Sequence, residues 1–190
     1  MHTCQKQIKM NRINLLILSL FFTSVGFGQK YVSKNGHVKF FSAAPTENIE
    51  ANNNQVNAAL DLSNGNLVFK VLIKSFEFEK ALMQEHFNEN YMESDKFPNS
   101  TFSGKVSNLQ DIDFSKDGEY KAKVKGSLTM HGVTKEVEHE GSFKVEGSSV
   151  KCHAIFPVKV GDYNIKIPKT VVDNIAETIE VTVDVKMDKM

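Results

Sequence analysis

The chain has no tryptophan, only four prolines and two cysteines in 190 residues, and no excess of either charge: 23 lysines and arginines balance 23 aspartates and glutamates. Each scarcity excludes something. A neutral chain whose lysines alternate with apolar residues lacks the basic stripe that a nucleic-acid surface requires, so nucleic acid is not an expected partner. Cys4 belongs to a leader described below and Cys152 stands alone after it, so no internal disulfide is expected and the fold must hold by burial. No Pro/Gly/Ser-rich linker divides the chain, which argues for one domain. What is present is apolar: hydrophobic residues make up 41%, enough for a packed core, and 14 phenylalanines against four tyrosines give an interior with few hydroxyls to satisfy.

Residues 1–28 read as a secretory signal peptide. Lys6, Lys9 and Arg12 supply a positive start, residues 15–22 an apolar run broken only by Ser19, and Gly26 and Gly28 the small residues before a cleavage point at Gln29. The alternative is an uncleaved anchor, but the run is short of the roughly 20 apolar residues of a spanning helix. Met10 serves equally well as the start. Cleavage leaves residues 29–190 as an exported domain, periplasmic or secreted, with no stable membrane span and with 20 basic against 23 acidic residues.

Residues 120–146 organise that domain as one long β-hairpin. Tyr120, Ala122, Val124, Gly126, Leu128 and Met130 share one face of the first arm, with Lys121, Lys123, Lys125, Ser127 and Thr129 on the other. Val133, Val137, Phe143 and Val145 alternate with Glu136, Glu138, Glu140 and Lys144 on the second arm. A two-residue turn at His131-Gly132 puts Lys125 opposite Glu138, Lys123 opposite Glu140, Val124 opposite His139 and Tyr120 opposite Phe143. Gly126 and Gly141 fall near each other on the inner face and predict a sheet that bends to close on itself. Lys135 and His139 share that inner face and are the first residues there that are not plain core.

The rest of the chain alternates with a period of two wherever it is not turn-like. Residues 31–44 form a strand pair or one bent strand around Lys34-Asn35-Gly36, where Asn-Gly is a hairpin signal. Asn52-Asn53-Asn54 predicts a turn between two strands. Ser63-Asn64-Gly65-Asn66 is a further turn, and an apolar strand with Leu67, Phe69, Val71 and Ile73 on one face follows it. Residues 79–91 carry Leu82, Met83, His86, Phe87 and Asn90 at spacings of three and four, a short amphipathic helix. Val150, Cys152, Ala154, Phe156 and Val158 share a strand face, and Ile179, Val181, Val183, Val185 and Met187 share that of the last strand. The sum is an all-β fold, an antiparallel barrel of about eight strands with one short amphipathic helix.

No catalytic or metal constellation emerges. His131 and His139 lie eight residues apart on the hairpin, about 25 Å along an extended strand, too far to share a metal. No G-x-S-x-G elbow surrounds a serine. Asp111, Asp113 and Asp117 lack the glycine and glutamate positions of a calcium loop. Catalytic residues, metal and cofactor are therefore all expected to be none.

Four stretches resemble the YceI-like family of exported polyisoprenoid-binding proteins: MQEHFNENYMESDKFPNSTFSG at 83–104, GSLTMHGVTK at 126–135, Asp162-Tyr163-Asn164-Ile165, and the alternating last strand. Gln84-Glu85 stands where that family often has an arginine-aspartate-like step, so no head-group role carries over to that step. The resemblance covers residues 29–190 and implies a lipocalin-like barrel that binds an isoprenoid or other long-chain lipid without catalysis. The expected lining is Phe69, Val71, Val124, Leu128, Val137, Phe143, Phe156, Val181 and Val183, with His131 or Lys135 meeting a polar head. The alternative is a structural or interaction protein of the cell envelope with a filled barrel core. A homodimer is compatible with either.

Overall fold

In the computed structural model, which describes residues 29–190, eight strands close into one antiparallel barrel; the expected leader at 1–28 lies outside the described residues. The strands are β1 (Lys30–Ala43), β2 (Asn48–Asp61), β3 (Asn66–Leu72), β4 (Glu77–Phe78), β5 (Asn99–Val106), β6 (Gly118–Met130), β7 (Val133–Glu146), β8 (Ser149–Lys159) and β9 (Thr178–Lys189). Around the ring the order is β1-β9-β8-β7-β6-β5-β3-β2, and β1 pairs with β2 to complete it. The two-residue β4 is an addition on β2. Each strand of the ring thus neighbours the next in sequence, the up-and-down topology. The expected all-β barrel with one short helix is what the chain forms.

The β6–β7 hairpin has the register its alternation dictates. Tyr120 opposes Phe143, Val124 opposes His139, and Lys123 and Lys125 oppose Glu140 and Glu138. The two cross-strand ion pairs span 3.3 and 3.9 Å between exposed side chains, so each adds little and the apolar face sets the register. His131 and Gly132 both have positive φ, 50° and 75°, the backbone that lets a two-residue turn follow the twist of its strands.

Of the two readings of residues 31–44, one bent strand is what forms, and the turn expected at Asn52-Asn53-Asn54 is a bulge instead. β1 runs unbroken through Lys34-Asn35-Gly36: Ser33 opposes Ala58 and Gly36 opposes Val56, three residues against two. β2 runs unbroken through Asn52-Asn53-Asn54 and carries the matching excess, since Gly36 and Val38 oppose Val56 and Asn53. Each bulge exchanges the inward parity of its strand and bends it. Asn53 is fully buried, yet its amide donates to the Leu72 carbonyl at 2.8 Å and its side-chain oxygen accepts from the Gln55 N–H at 2.9 Å. A triple-asparagine run is therefore a satisfied wall element here, and the strand does not need to turn.

The strand expected through Ile73 stops at Leu72, turns through one 3₁₀ segment at Ile73–Ser75 and is followed by β4. The amphipathic helix is shorter than expected: α1 covers Ala81–His86 and widens into a π turn over Phe87–Tyr91. Gly126 faces Gly104 of β5, while Gly141 lies opposite Ala122, so the two inner-face glycines expected to be neighbours serve separate contacts. A Cβ on Gly126 would overlap the Gly104 Cα and the Ser103 carbonyl.

Buried residues are found at both ends of the barrel, Ala51, Ile73, Phe76, Met92 and Tyr163 among them toward the β6–β7 tip. Tyr31, Leu60, Leu67, Phe143, Val145, Val150, Val185 and Met187 are almost completely buried and crowd the end away from the β6–β7 tip; this is the lower end. Cys152 lies just above it, buried, and burial pushes its thiol up to about 12.

Two outcomes follow for the folded chain. Gly126→Ala overpacks a strand contact and should cost about 1–3 kcal/mol in urea unfolding, whereas Gly161→Ala, with open space around its position, should change stability by less than about 0.5 kcal/mol. Cys152 should react with a disulfide-exchange reagent at pH 8 only after denaturant is added, because so little of the buried thiol is thiolate; fast labelling of the native protein would contradict this placement.

Candidate functional site

Above the packed layer the barrel is hollow. A cavity of about 550 Å³ fills the middle and upper interior, lined almost wholly by apolar atoms. Its floor is the top of the core, with Leu67, Ala122, Phe143 and Cys152 contributing to the lining. A volume of this size accommodates a small amphiphile, within the range of about 300–1,000 Å³ common to ligand pockets. The alternative of a filled core describes the lower end of the barrel and not the upper.

All nine residues named from the sequence as lining face this one cavity: Phe69 and Val71 on β3, Val124 and Leu128 on β6, Val137 and Phe143 on β7, Phe156 on β8, and Val181 and Val183 on β9. They converge because inward positions alternate and the register is continuous around most of the ring. His139 also lines it, with its ring stacked on Phe156 at a centroid distance of 4.3 Å. Burial lowers the pKa of the His139 imidazole from its ordinary value, so this ring is a neutral part of the wall at pH 7. Ser100 lines the cavity with a buried hydroxyl that has no hydrogen-bond partner.

The sequence did not reveal the upper aromatic cluster. Phe40 of β1, Phe76, Phe78 of β4 and Phe87 of the π turn pack with ring centroids 5.0–5.8 Å apart. They hold the helix across the mouth, where Leu82, Met83, His86 and Tyr91 add to the lining. The available signal was the Phe76-Glu77-Phe78 alternation beside an amphipathic helix, which reads equally well as ordinary core. At the same mouth Lys80 Nζ lies 2.7 Å from Glu47 Oε1, and Glu47 raises the Lys80 pKa. These two are the charged residues of the lining, and they neutralise each other.

His131 and Lys135, named as head-group candidates, lie outside the lining. Lys135 opposes Leu128 but is exposed near the hairpin tip. His131 is a tie between three segments. Its Nδ1 lies 3.0 Å from the Tyr163 carbonyl after β8, its Nε2 2.8 Å from the Glu93 carboxylate after the helix, and its ring packs edge-on against Phe97 at 4.8 Å. Among the described residues three non-glycines have positive φ, Glu93, His131 and Asn164, and all three belong to or adjoin this tie. Left-handed backbone costs energy in each and persists where surroundings over-determine it. The aspartates weighed as a calcium loop have local work instead: Asp113 accepts from the Ser115 N–H and hydroxyl, and Asp117 from the Gly147 N–H.

Comparison with known proteins agrees with this architecture. The chain matches the YceI-like domain over residues 24–187, and no curated protein sequence matches it. Among solved structures it resembles a polyisoprenoid binding domain from Saccharophagus degradans implicated in plant cell wall breakdown, at 11% identity and a TM-score of 0.75, covering 86% of this chain and 99% of that one. It also resembles Burkholderia cenocepacia BcnA, at 14% identity and 0.66, covering 80% and 95%, and the Campylobacter jejuni YceI protein, at 18% and 0.55, covering 74% and 84%. At these identities the structural likeness establishes a shared fold. The match over residues 24–187 does more, and with the closed barrel and its hollow upper half it places the chain in the YceI-like family.

Proposed function

We propose that this protein binds a long-chain isoprenoid or similar amphiphilic lipid in the upper cavity, without chemical change, after export through the leader at residues 1–28. The observation that carries the reading is the cavity itself: about 550 Å³, apolar on nearly every side, with its charged lining confined to the Lys80–Glu47 pair at the mouth. Apolar walls favour a guest that is itself apolar along its length. The structural likeness to a polyisoprenoid binding domain supports an isoprenoid guest. Two of the reactive groups in the lining are poorly placed for chemistry: the Cys152 thiol is pushed up to about 12 by burial, and the His139 ring is stacked on a phenylalanine. A carrier or storage role therefore accounts for the cavity better than catalysis does.

The energetics give the reading a quantitative form. Each five-carbon unit withdrawn from water gains a gross 3–4 kcal/mol at about 0.8 kcal/mol per carbon, less about 0.5–1.5 kcal/mol for each immobilised segment. Affinity should rise with chain length until the hollow above the Phe143 layer is occupied, then level off.

Purified protein extracted into organic solvent should release a lipid detectable by mass spectrometry. Titration with a C10, C15 and C20 prenyl alcohol series should give Kd falling at least tenfold per step up to the plateau, and an affinity independent of length would contradict the proposal. Leu128→Asp places an unpaired carboxylate in the wall and should abolish binding while circular dichroism still reports strand content; undiminished binding by that variant would remove Leu128 from the site.

A further inference from the structure

The barrel wall is not continuous. β7 and β8 are joined by five rungs at the lower end, from Glu146 opposite Ser149 to Ser142 opposite His153. Above them residues 133–141 of β7 and 154–159 of β8 have no rung between them, although β7 stays fully paired with β6 and β8 with β9. The split begins at Gly141, where a Cβ would lie 2.5 Å from the His153 carbonyl and 3.0 Å from the Ala154 Cβ, so the strands touch there and diverge beyond. Six unpaired residues at about 3.3 Å each make an opening about 20 Å tall. Its upper limit is the His131–Tyr163 contact, which fastens the β6–β7 tip to the segment after β8.

The register continues across this opening without hydrogen bonds. Counting on from Ser142 and His153 puts His139 opposite Phe156 and Val137 opposite Val158, and all four line the cavity. The stacked rings of His139 and Phe156 lie against the inner side of this unpaired stretch. On the outside the β8 lip presents Ile155, half exposed, and Pro157, which has no N–H to offer a ladder. A comparable split between β2 and β3 is sealed by β4 and by the Asn53 bond to Leu72, and the lower part of β6, which has no rung to β5, is bonded by the Asn108 side chain and the Ser107 N–H.

We propose that the opening between β7 and β8 is the route by which the lipid passes into and out of the cavity, with the His139–Phe156 stack as its gate. This rests on the reading that the cavity binds a lipid. Three other paths are less favourable. The lower end is packed solid, and parting any other wall breaks backbone hydrogen bonds. The upper mouth is covered by the helix, the phenylalanine cluster, the Lys80–Glu47 pair and the His131–Glu93 contact. Swinging two rings apart breaks no backbone bond. A lateral opening also lets a long tail enter sideways along its length, where an end opening would require it to thread.

Glu138 and Pro157 occupy the outer face of the same row, beside the gate rings, and both are exposed. Glu138→Cys with Pro157→Cys, joined by a short bismaleimide, should bar the opening while the buried Cys152 stays unmodified; the control is the same variant capped at both new thiols with N-ethylmaleimide. With a dansyl-tagged C20 prenyl alcohol as probe, stopped-flow fluorescence should show the joined protein loading at least tenfold more slowly than the capped one, with the same final occupancy. Equal rates at full occupancy would overturn the lateral route and leave the cavity reading standing. Failure of the capped protein and the unmodified chain alike to take up probe would overturn both. In an independent variant, Phe156→Ala should load at least threefold faster than the native chain, and an unchanged or slower rate would likewise overturn the gate.

Discussion

Closure of the strand ring is the constraint on which the remaining features depend. An eight-strand barrel is just wide enough for side chains to fill or for one small guest to enter, so the size of the inward residues, layer by layer, decides which occurs. The lower layers receive Tyr31, Leu60, Leu67, Phe143 and Met187 and are solid. The layers above receive Val71, Val124, Val137, Ala154, Val181 and Val183, too small to meet across the axis. The large upper residues, Phe40, Phe76, Phe78 and Phe87, pack on one another under the helix and leave the centre free. Large inward residues also line the upper half, Phe69, Leu128 and Phe156 among them, but they leave the hollow above a packed floor.

The same closure explains the asparagines and the bulges. Backbone groups in the wall must find partners, and an extra residue on each of β1 and β2 would orphan some of them if nothing compensated. Asn53 compensates with its side chain, accepting from its own strand and donating to Leu72 across the gap left by the short β3. Between β7 and β8 no amide takes that role, and two stacked aromatic rings line the inner side of the unpaired stretch instead. One split in the wall is sealed by polar bonds and the other by stacking, which differ greatly in how easily they open.

What could be read from the sequence follows from this. The β6–β7 register was legible because two independent patterns, apolar alternation and Lys-to-Glu complementarity, agree on one alignment. The lining residues were legible as a set because a period of two assigns every inward position once the register is known. Asn52-Asn53-Asn54 was misleading: asparagine favours turns through bonds to nearby backbone, and the same side chain serves a distant strand equally well, a choice that only the tertiary partner Leu72 decides. His131 was visible as a turn residue, but its work as a tie depends on Glu93 and Tyr163, 38 and 32 residues away. The hollow itself was not legible, because a void is the difference between a barrel's volume and the summed volume of its inward side chains, and no local pattern carries that difference.

An apolar hollow in water is costly to maintain, since its walls forfeit the dispersion contacts that a packed core supplies. What keeps this one from collapsing is rigidity around its border. The ladders from β8 through β9 and β1 to β2 and from β3 through β5 and β6 to β7 hold the walls apart. The tie at His131 holds the rim at the expense of three strained backbones. A guest that fills the hollow restores the missing contacts and adds stability in proportion to its binding. The strain at the rim and the void beneath it are therefore two sides of one arrangement: the fold carries the cost of an open interior, and occupancy by an apolar chain relieves it.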